Sequence, residues 1–188
     1  MNLDGLSLDD LNLKRSNVKG KRITVVGAGI SGRELALMAR RLGARVFVSE
    51  AGPVSAAALD LFGRSGIDWE GEGHTERAFQ ADALLLSSGI PPRAEVVQGA
   101  RRRGIPLIGE LDLVAPHIRG KLVAVTGSNG KSTVTSLIGH MLRRAGRNVG
   151  VGGNLGTAAS TFTDRDLDIV VLELSSFQLA RASVLSAA

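Results

Sequence analysis

The sequence predicts an α/β protein built from two parallel-sheet modules in tandem, and three observations carry that reading. Short apolar runs alternate with stretches of helical spacing along most of the chain, the pattern of strands joined by crossover helices. Two of those runs open onto glycine-rich loops, Gly27-Ala28-Gly29-Ile30-Ser31-Gly32 and Gly127-Ser128-Asn129-Gly130-Lys131-Ser132-Thr133. The approaches to the loops echo one another, GKRITVVG from Gly20 and GKLVAVTG from Gly120, each a strand entering a glycine turn. All doubly wound folds begin this way, so the echo supports repeated architecture and not duplication. The expected architecture is a Rossmann-like parallel-sheet domain over residues 1–110 followed by a P-loop α/β domain from residue 111 onward.

Taken in order, residues 23–26 read as a short buried strand, and residues 31–42 as a helix with apolar positions at Leu35, Met38, Ala39 and Leu42. Residues 45–49 form a second strand, 55–63 a weaker helix, 67–69 a short strand and 83–86 a fully apolar strand that ends in Ser87-Ser88-Gly89-Ile90-Pro91-Pro92. A helix over 94–103 and a short strand over 106–108 complete the first module. Residues 110–118 read as a connecting helix whose weak point is Pro116. The second module follows with a strand over 122–126, a long helix over 131–145, and strands over 148–151 and 169–174.

Composition sets limits on function. The chain has 188 residues, 44% of them hydrophobic and 22% charged, an ordinary balance for a soluble globular protein. No apolar run approaches the roughly 18 residues of a membrane span, and the N-terminal MNLDGLSLDD carries acids where a secretory signal carries positive charge. A cytoplasmic protein without membrane insertion is expected. With no cysteine, disulfides, thiolate metal sites and cysteine nucleophiles are excluded from this sequence. The net charge of +5 comes largely from Arg101-Arg102-Arg103 and Arg143-Arg144 with Arg147, at helix ends where basic groups complement the dipole and face solvent. Five Phe, one Trp and no Tyr give little to interleave with these arginines, so nucleic acid is not an expected partner.

The second glycine loop is a phosphate cradle. Its glycines let backbone N–H groups converge on phosphate oxygens, and the helix that starts near Gly130 aims its positive end at them. Lys131 supplies an ammonium for the outer phosphates and Ser132 a hydroxyl for a magnesium ion. The spacing is G-x-x-G-K-S, tighter than the common P-loop, because Val125 stands where that motif has its first glycine. The first loop is a full G-x-G-x-x-G between strand and helix, with the acid Glu50 just past the second strand. By physics alone it indicates a dinucleotide, the acid accepting from a ribose hydroxyl. A diphosphate is nevertheless all the loop specifies, and NAD or FAD and a UDP-sugar satisfy it equally. Further along, Glu173 lies at the carboxyl end of a strand, where open α/β sheets bind ligands, and is a candidate magnesium ligand. Asn154, in the open loop GVGGNLG, offers both a donor and an acceptor.

The segments TGSNGKSTVT (126–135), NVGVGGNLG (148–156) and LELSSFQL (172–179), supported by GAGISG, SGIP and GELDL, resemble the Mur ligases of peptidoglycan synthesis, most closely the branch that adds D-glutamate. The resemblance implies that the first domain holds the uridine diphosphate of a sugar substrate, with Gly29, Ile30, Ser31, Glu50, Ser88 and Gly89 at that site. It implies ATP at Gly127, Ser128, Asn129, Gly130, Lys131, Ser132 and Thr133, with Mg2+ on Ser132 and Glu173. Lys131 and Glu173 are then the catalytic candidates, and Asn154, Ser175 and Gln178 contact the muramoyl-alanine portion. The substrates implied are small molecules, UDP-N-acetylmuramoyl-L-alanine and glutamate, and the expected state is a monomer. Relative to the family, Ser88 replaces a usual proline, and Glu50 reaches one methylene further than the more frequent aspartate. The sequence also stops before the family's later central-domain histidine and modified lysine and before its C-terminal domain. The expectation is therefore a fragment with a truncated central domain, unable to complete ligation alone, with Phe177 and Leu179 exposed or differently packed. The alternatives are another Mur ligase or a relative adding L-glutamate, an oxidoreductase module binding NAD or FAD, or a non-catalytic nucleotide sensor.

Overall fold

A computed structural model describes residues 17–154, 156–179, 181 and 182; the acidic stretch at the N-terminus and Leu155 lie outside the described residues. The first module is a five-stranded parallel sheet of order β3-β2-β1-β4-β5. Its strands are β1 (Arg22–Val26), β2 (Arg45–Ser49), β3 (Asp68–Glu70), β4 (Ala83–Leu86) and β5 (Leu107–Gly109). Helix α1 (Ile30–Arg41) joins β1 to β2, α2 (Ala56–Ser65) joins β2 to β3, and α3 (Glu95–Arg102) joins β4 to β5. The order reverses between β1 and β4, so the β1 loop opens at the topological switch point, where such sheets bind ligands. The second sheet has the order β6-β8-β7, again parallel, from β6 (Lys121–Val125), β7 (Val149–Gly153) and β8 (Ile169–Glu173). Among the described residues no helix is long and apolar enough to cross a membrane.

Local chemistry explains where elements start and stop. The Ser55 hydroxyl caps α2 by accepting from the Ala58 N–H, and α2 ends at Gly66 in the left-handed conformation at φ 58°. Strand β4 is buried at all four positions because helices cover both faces of a parallel sheet. The expected connecting helix over 110–118 is shorter than its pattern suggested. It ends as α4 (Glu110–Val114) and tightens into a 3-10 turn over Ala115–His117, since Pro116 has no N–H to continue the ladder. A last short helix, α6 (Ser176–Leu179), occupies part of LELSSFQL, where the sequence pattern was too short to separate it from the preceding strand.

One hydrophobic cluster runs through both modules. Leu35 and Ala39 of α1, Leu111, Leu113 and Val114 of α4, and Ala159, Phe162, Val170 and Leu172 of the second module belong to it. The boundary expected at residue 110 therefore falls at the start of a buried helix that both modules pack against. Each fully buried Leu or Phe there stabilises the fold by roughly 1.5–3 kcal/mol relative to exposure. The outer side of the second module is different. Helix α5 (Lys131–Arg144) leaves Val134, Leu137 and Met141 exposed, and Phe177 and Leu179 are exposed as the sequence suggested. The basic helix ends do face solvent, but Arg103 also lies over the Phe79 ring and pairs with Glu76, and Arg143 donates to the Val149 carbonyl.

Candidate active site

The glycine loop after β1 is shaped by contacts that admit no side chain at two of its glycines. Gly27 sits at φ 98°, and a Cβ there would meet the Ser87 hydroxyl at 2.5 Å. A Cβ on Gly32 would lie 1.9 Å from the Gly27 carbonyl oxygen, so this third glycine is what lets α1 approach β1. Gly29 is the opposite case: nothing lies within 4 Å of its Cβ position, the open space a diphosphate requires.

Glu50 braces this loop. Its carboxylate accepts from the Ala28 N–H at 2.5 Å and from the Gly52 N–H at 3.2 Å, so both oxygens are already engaged within the protein. The acid read as a ribose acceptor is thus also a fastener of the loop, a use that spacing alone could not reveal. Behind it, Glu70 accepts from the Ser49 hydroxyl at 2.6 Å and from the Thr75 hydroxyl at 2.5 Å, and Ser49 also bonds His74 Nδ1 at 2.7 Å. Burial works to raise the Glu70 carboxyl, but the Ser49 and Thr75 hydrogen bonds outweigh it and hold the group below its ordinary range. His74 is pushed down, by burial, against the pull of Glu70, Glu50 and Glu95. Sequence reasoning missed this cluster because its members are spread over residues 49–75 and meet only through the β2–β3 pairing.

In the second module the register brings the phosphate loop and the acid together. Glu173 ends the central strand β8, opposite Val125 of β6 on one side and Gly153 of β7 on the other. The phosphate loop follows Val125, and Asn154 follows Gly153. The Ser132 hydroxyl donates to Glu173 Oε2 at 2.7 Å, and Asn154 Nδ2 donates to Oε1 at 3.3 Å. Gly130, at φ 74°, immediately precedes α5, and Lys131 Nζ folds back on the Gly127 carbonyl at 3.0 Å. Ser132 and Glu173 together present hard oxygen donors at the mouth of a phosphate loop, a donor set that suits Mg2+. A Cβ on Gly153 would strike the Glu173 carbonyl at 2.4 Å, which keeps this strand end glycine.

A single cavity of about 390 Å³ joins the two modules. Gly29, Ile30, Ser31, Glu50, Ser88 and Gly89 line it from the first sheet, and Asn154 lines it from the second. Seven of the nine residues read as substrate-binding thus surround one space. Ser175 and Gln178 do not line it. They cap α6 reciprocally, the Ser175 N–H donating to Gln178 Oε1 at 2.9 Å and the Gln178 N–H to the Ser175 hydroxyl at 3.2 Å. Gln178 Nε2 then donates to Glu110 Oε2 at 3.2 Å, a buried partner that sequence reading had not singled out as a site residue.

Residues 22–96 match the family described as the MurD N-terminal domain, and residues 125–188 match the Mur ligase middle domain. The UDP-N-acetylmuramoylalanine--D-glutamate ligase of Christiangramia forsetii is 38% identical over 162 residues, covering 85% of this chain and 36% of the relative. The enzyme of the same name from Acidobacterium capsulatum is 43% identical over 167 residues, covering 86% and 36%. This chain therefore spans little more than a third of the length of the curated relatives it matches. Among solved structures, the UDP-N-acetylmuramate:L-alanyl-gamma-D-glutamyl-meso-diaminopimelate ligase from Neisseria meningitides superposes with a TM-score of 0.53 at 20% identity, covering 85% of this chain and 55% of that one, a likeness of fold. The chain belongs to the Mur ligases and carries an N-terminal domain together with residues of the middle domain of that family.

Proposed function

We propose that this chain supplies the UDP-sugar site and the nucleotide site of an ATP-dependent ligase that adds D-glutamate to UDP-N-acetylmuramoyl-L-alanine. The observation that carries the reading is the shared cavity. It places the open Gly29 and the Ser88-Gly89 turn across from Asn154, whose amide touches the same Glu173 that bonds Ser132 of the phosphate loop. A sugar diphosphate anchored on the first loop would extend its acyl end toward Asn154, and an ATP γ-phosphate held by the second loop would approach from the Glu173 side.

Bound MgATP would supply the phosphoryl group that activates the substrate carboxylate, giving it a leaving group before the glutamate amine attacks. The chain's own residues position the reactants. The Gly127 to Gly130 turn would offer backbone N–H groups to the phosphates, Lys131 could move from the Gly127 carbonyl onto the outer ones, and Ser132 and Glu173 would be the residues to hold the metal. Asn154 then orients the acyl portion. Names of the relatives support D-glutamate as the acceptor, and the reaction belongs in the cytoplasm, where the nucleotides reside. The test is Mg2+-dependent binding of a fluorescent ATP analogue to the chain and to Glu173→Gln. The reading expects binding that needs Mg2+ in the wild type and loses most of that dependence in the variant; equal Mg2+ dependence in both would refute the assignment of Glu173.

A further inference from the structure

A buried carboxyl stands between the two halves of the site with no part in the chemistry described so far. Glu110 opens α4 and is only 3% exposed. It accepts from Gln178 Nε2 at 3.2 Å, and the inaccessible Ser31 hydroxyl stands beside it without closing a hydrogen bond of ordinary geometry. Ser31 belongs to the diphosphate loop and lines the cavity. Gln178 belongs to the segment that continues from Glu173 and is held by Ser175 through two hydrogen bonds. The same segment makes a second attachment to the first module, since Arg181 donates to the Ile90 carbonyl at 2.8 Å, directly after the Ser88-Gly89 turn. It also passes close to Gly109, where a Cβ would meet Arg181 Cβ at 3.3 Å.

Burying a carboxyl is costly, and this burial pushes the Glu110 group above its usual range, the Ser31 hydroxyl and the Gln178 amide pulling the other way. An apolar residue of the same volume would be buried at this position without that cost. A polar group here therefore needs a reason beyond packing.

We propose that Glu110 is a positioning residue that couples the two ligand sites: set between Ser31 of the diphosphate loop and Gln178 of the segment after Glu173, it transmits occupation of one site to the other. The proposal rests on the reading of the first loop as a UDP-sugar site and the second as a MgATP site. A diphosphate on the loop would draw the Ser31 hydroxyl and so reset Glu110 and Gln178. Gln178 and Ser175 are rigidly paired, so the change reaches the end of β8, where Glu173 meets Ser132. By linkage the effect is reciprocal.

The test is calorimetric titration of the chain with UDP-N-acetylmuramoyl-L-alanine, alone and at saturating Mg2+ with a non-hydrolysable ATP analogue, for wild type, Glu110→Met and Glu110→Gln. The wild type is expected to show at least about a five-fold shift in sugar-nucleotide Kd, the lower end of ordinary coupling. Glu110→Met keeps the volume, removes the Gln178 hydrogen bond and the carboxyl beside Ser31, and should abolish the shift while each ligand still binds alone. Glu110→Gln can accept from Gln178 and donate to Ser31, and should retain the shift. A merely structural role would lower the affinity for both ligands in Glu110→Met and leave their ratio unchanged. A shift of wild-type size in Glu110→Met, or no shift in a wild type that binds both ligands, would overturn the proposal. Should Glu110→Met fail to fold, Gln178→Met cuts the link from the other side and must show the same loss. Failure of the wild type to bind either ligand alone would instead overturn the underlying assignment of the sites, and the proposal with it.

Discussion

Adding one methyl group at Gly32 tests the contact on which the first loop depends. An alanine Cβ there would fall 1.9 Å from the Gly27 carbonyl oxygen, so restoring even a 3.0 Å separation requires α1 to retreat by about 1 Å. The obstacle is backbone, and α1 is anchored by Leu35, Met38 and Ala39 in the core, so little can yield. Overpacking of this kind costs about 1–3 kcal/mol, and the upper half applies where backbone meets backbone. The gain from Ala over Gly within a helix, about 1 kcal/mol, offsets part of it and leaves a net loss of about 1–2 kcal/mol. For a chain of this size that lowers Tm by about 2–8 °C. Gly63 in α2 is the control, because it is also helical but has nothing within 4 Å of its Cβ position. Gly63→Ala should raise stability by about 0.5–1 kcal/mol. The assay is urea unfolding followed by fluorescence of Trp69, the only tryptophan, which reports on the first sheet through β3. Gly32→Ala with a stability equal to or above wild type would refute the close helix–strand contact as the reason for glycine there.

Gly29→Val should leave Tm within about 1 °C of wild type, because the position is open and its φ of −67° suits any residue, while blocking the sugar nucleotide; normal calorimetric binding by this variant would remove the first loop from the site. Lys131→Ala should weaken binding of the ATP analogue by roughly 1.5–3 kcal/mol, the range for a charged hydrogen bond, with unchanged affinity as the refuting result. Glu70, held below its ordinary value of 4.5, contributes stability that is present above that value and lost as pH falls through its lowered folded value. Glu70→Gln should therefore flatten the acid limb of a Tm-against-pH curve, and an acid limb as steep as wild type would contradict the role given to the Ser49 and Thr75 hydrogen bonds.

Sequence periodicity was a good guide wherever an element is long or fully buried. The strand at residues 83–86 was legible to the residue because four consecutive apolar positions between turn signals leave no other register. The two glycine loops were legible because backbone approach to phosphate dictates residue type at fixed spacing. Short elements whose existence depends on tertiary contact were not. The 3-10 turn Ala159–Phe162 buries Ala159 and Phe162 against α1, a contact made across the two modules that no local window contains. The same limit hid the Glu110 link, since residues 31, 110 and 178 meet only through the packing of three helix starts. Family resemblance pointed to Ser175 and Gln178 as substrate contacts, whereas in the structure they lie outside the cavity lining, cap α6 reciprocally, and bond Glu110 through Gln178.

The most direct test of the account is calorimetric titration of the chain with UDP-N-acetylmuramoyl-L-alanine, with UDP and NAD as comparisons. The cavity between the glycine loop and Asn154 predicts saturable binding of both uridine compounds, tighter for the sugar nucleotide, and no response to NAD. Binding of NAD with no response to either uridine compound would contradict it and make the first module a dinucleotide domain of another kind.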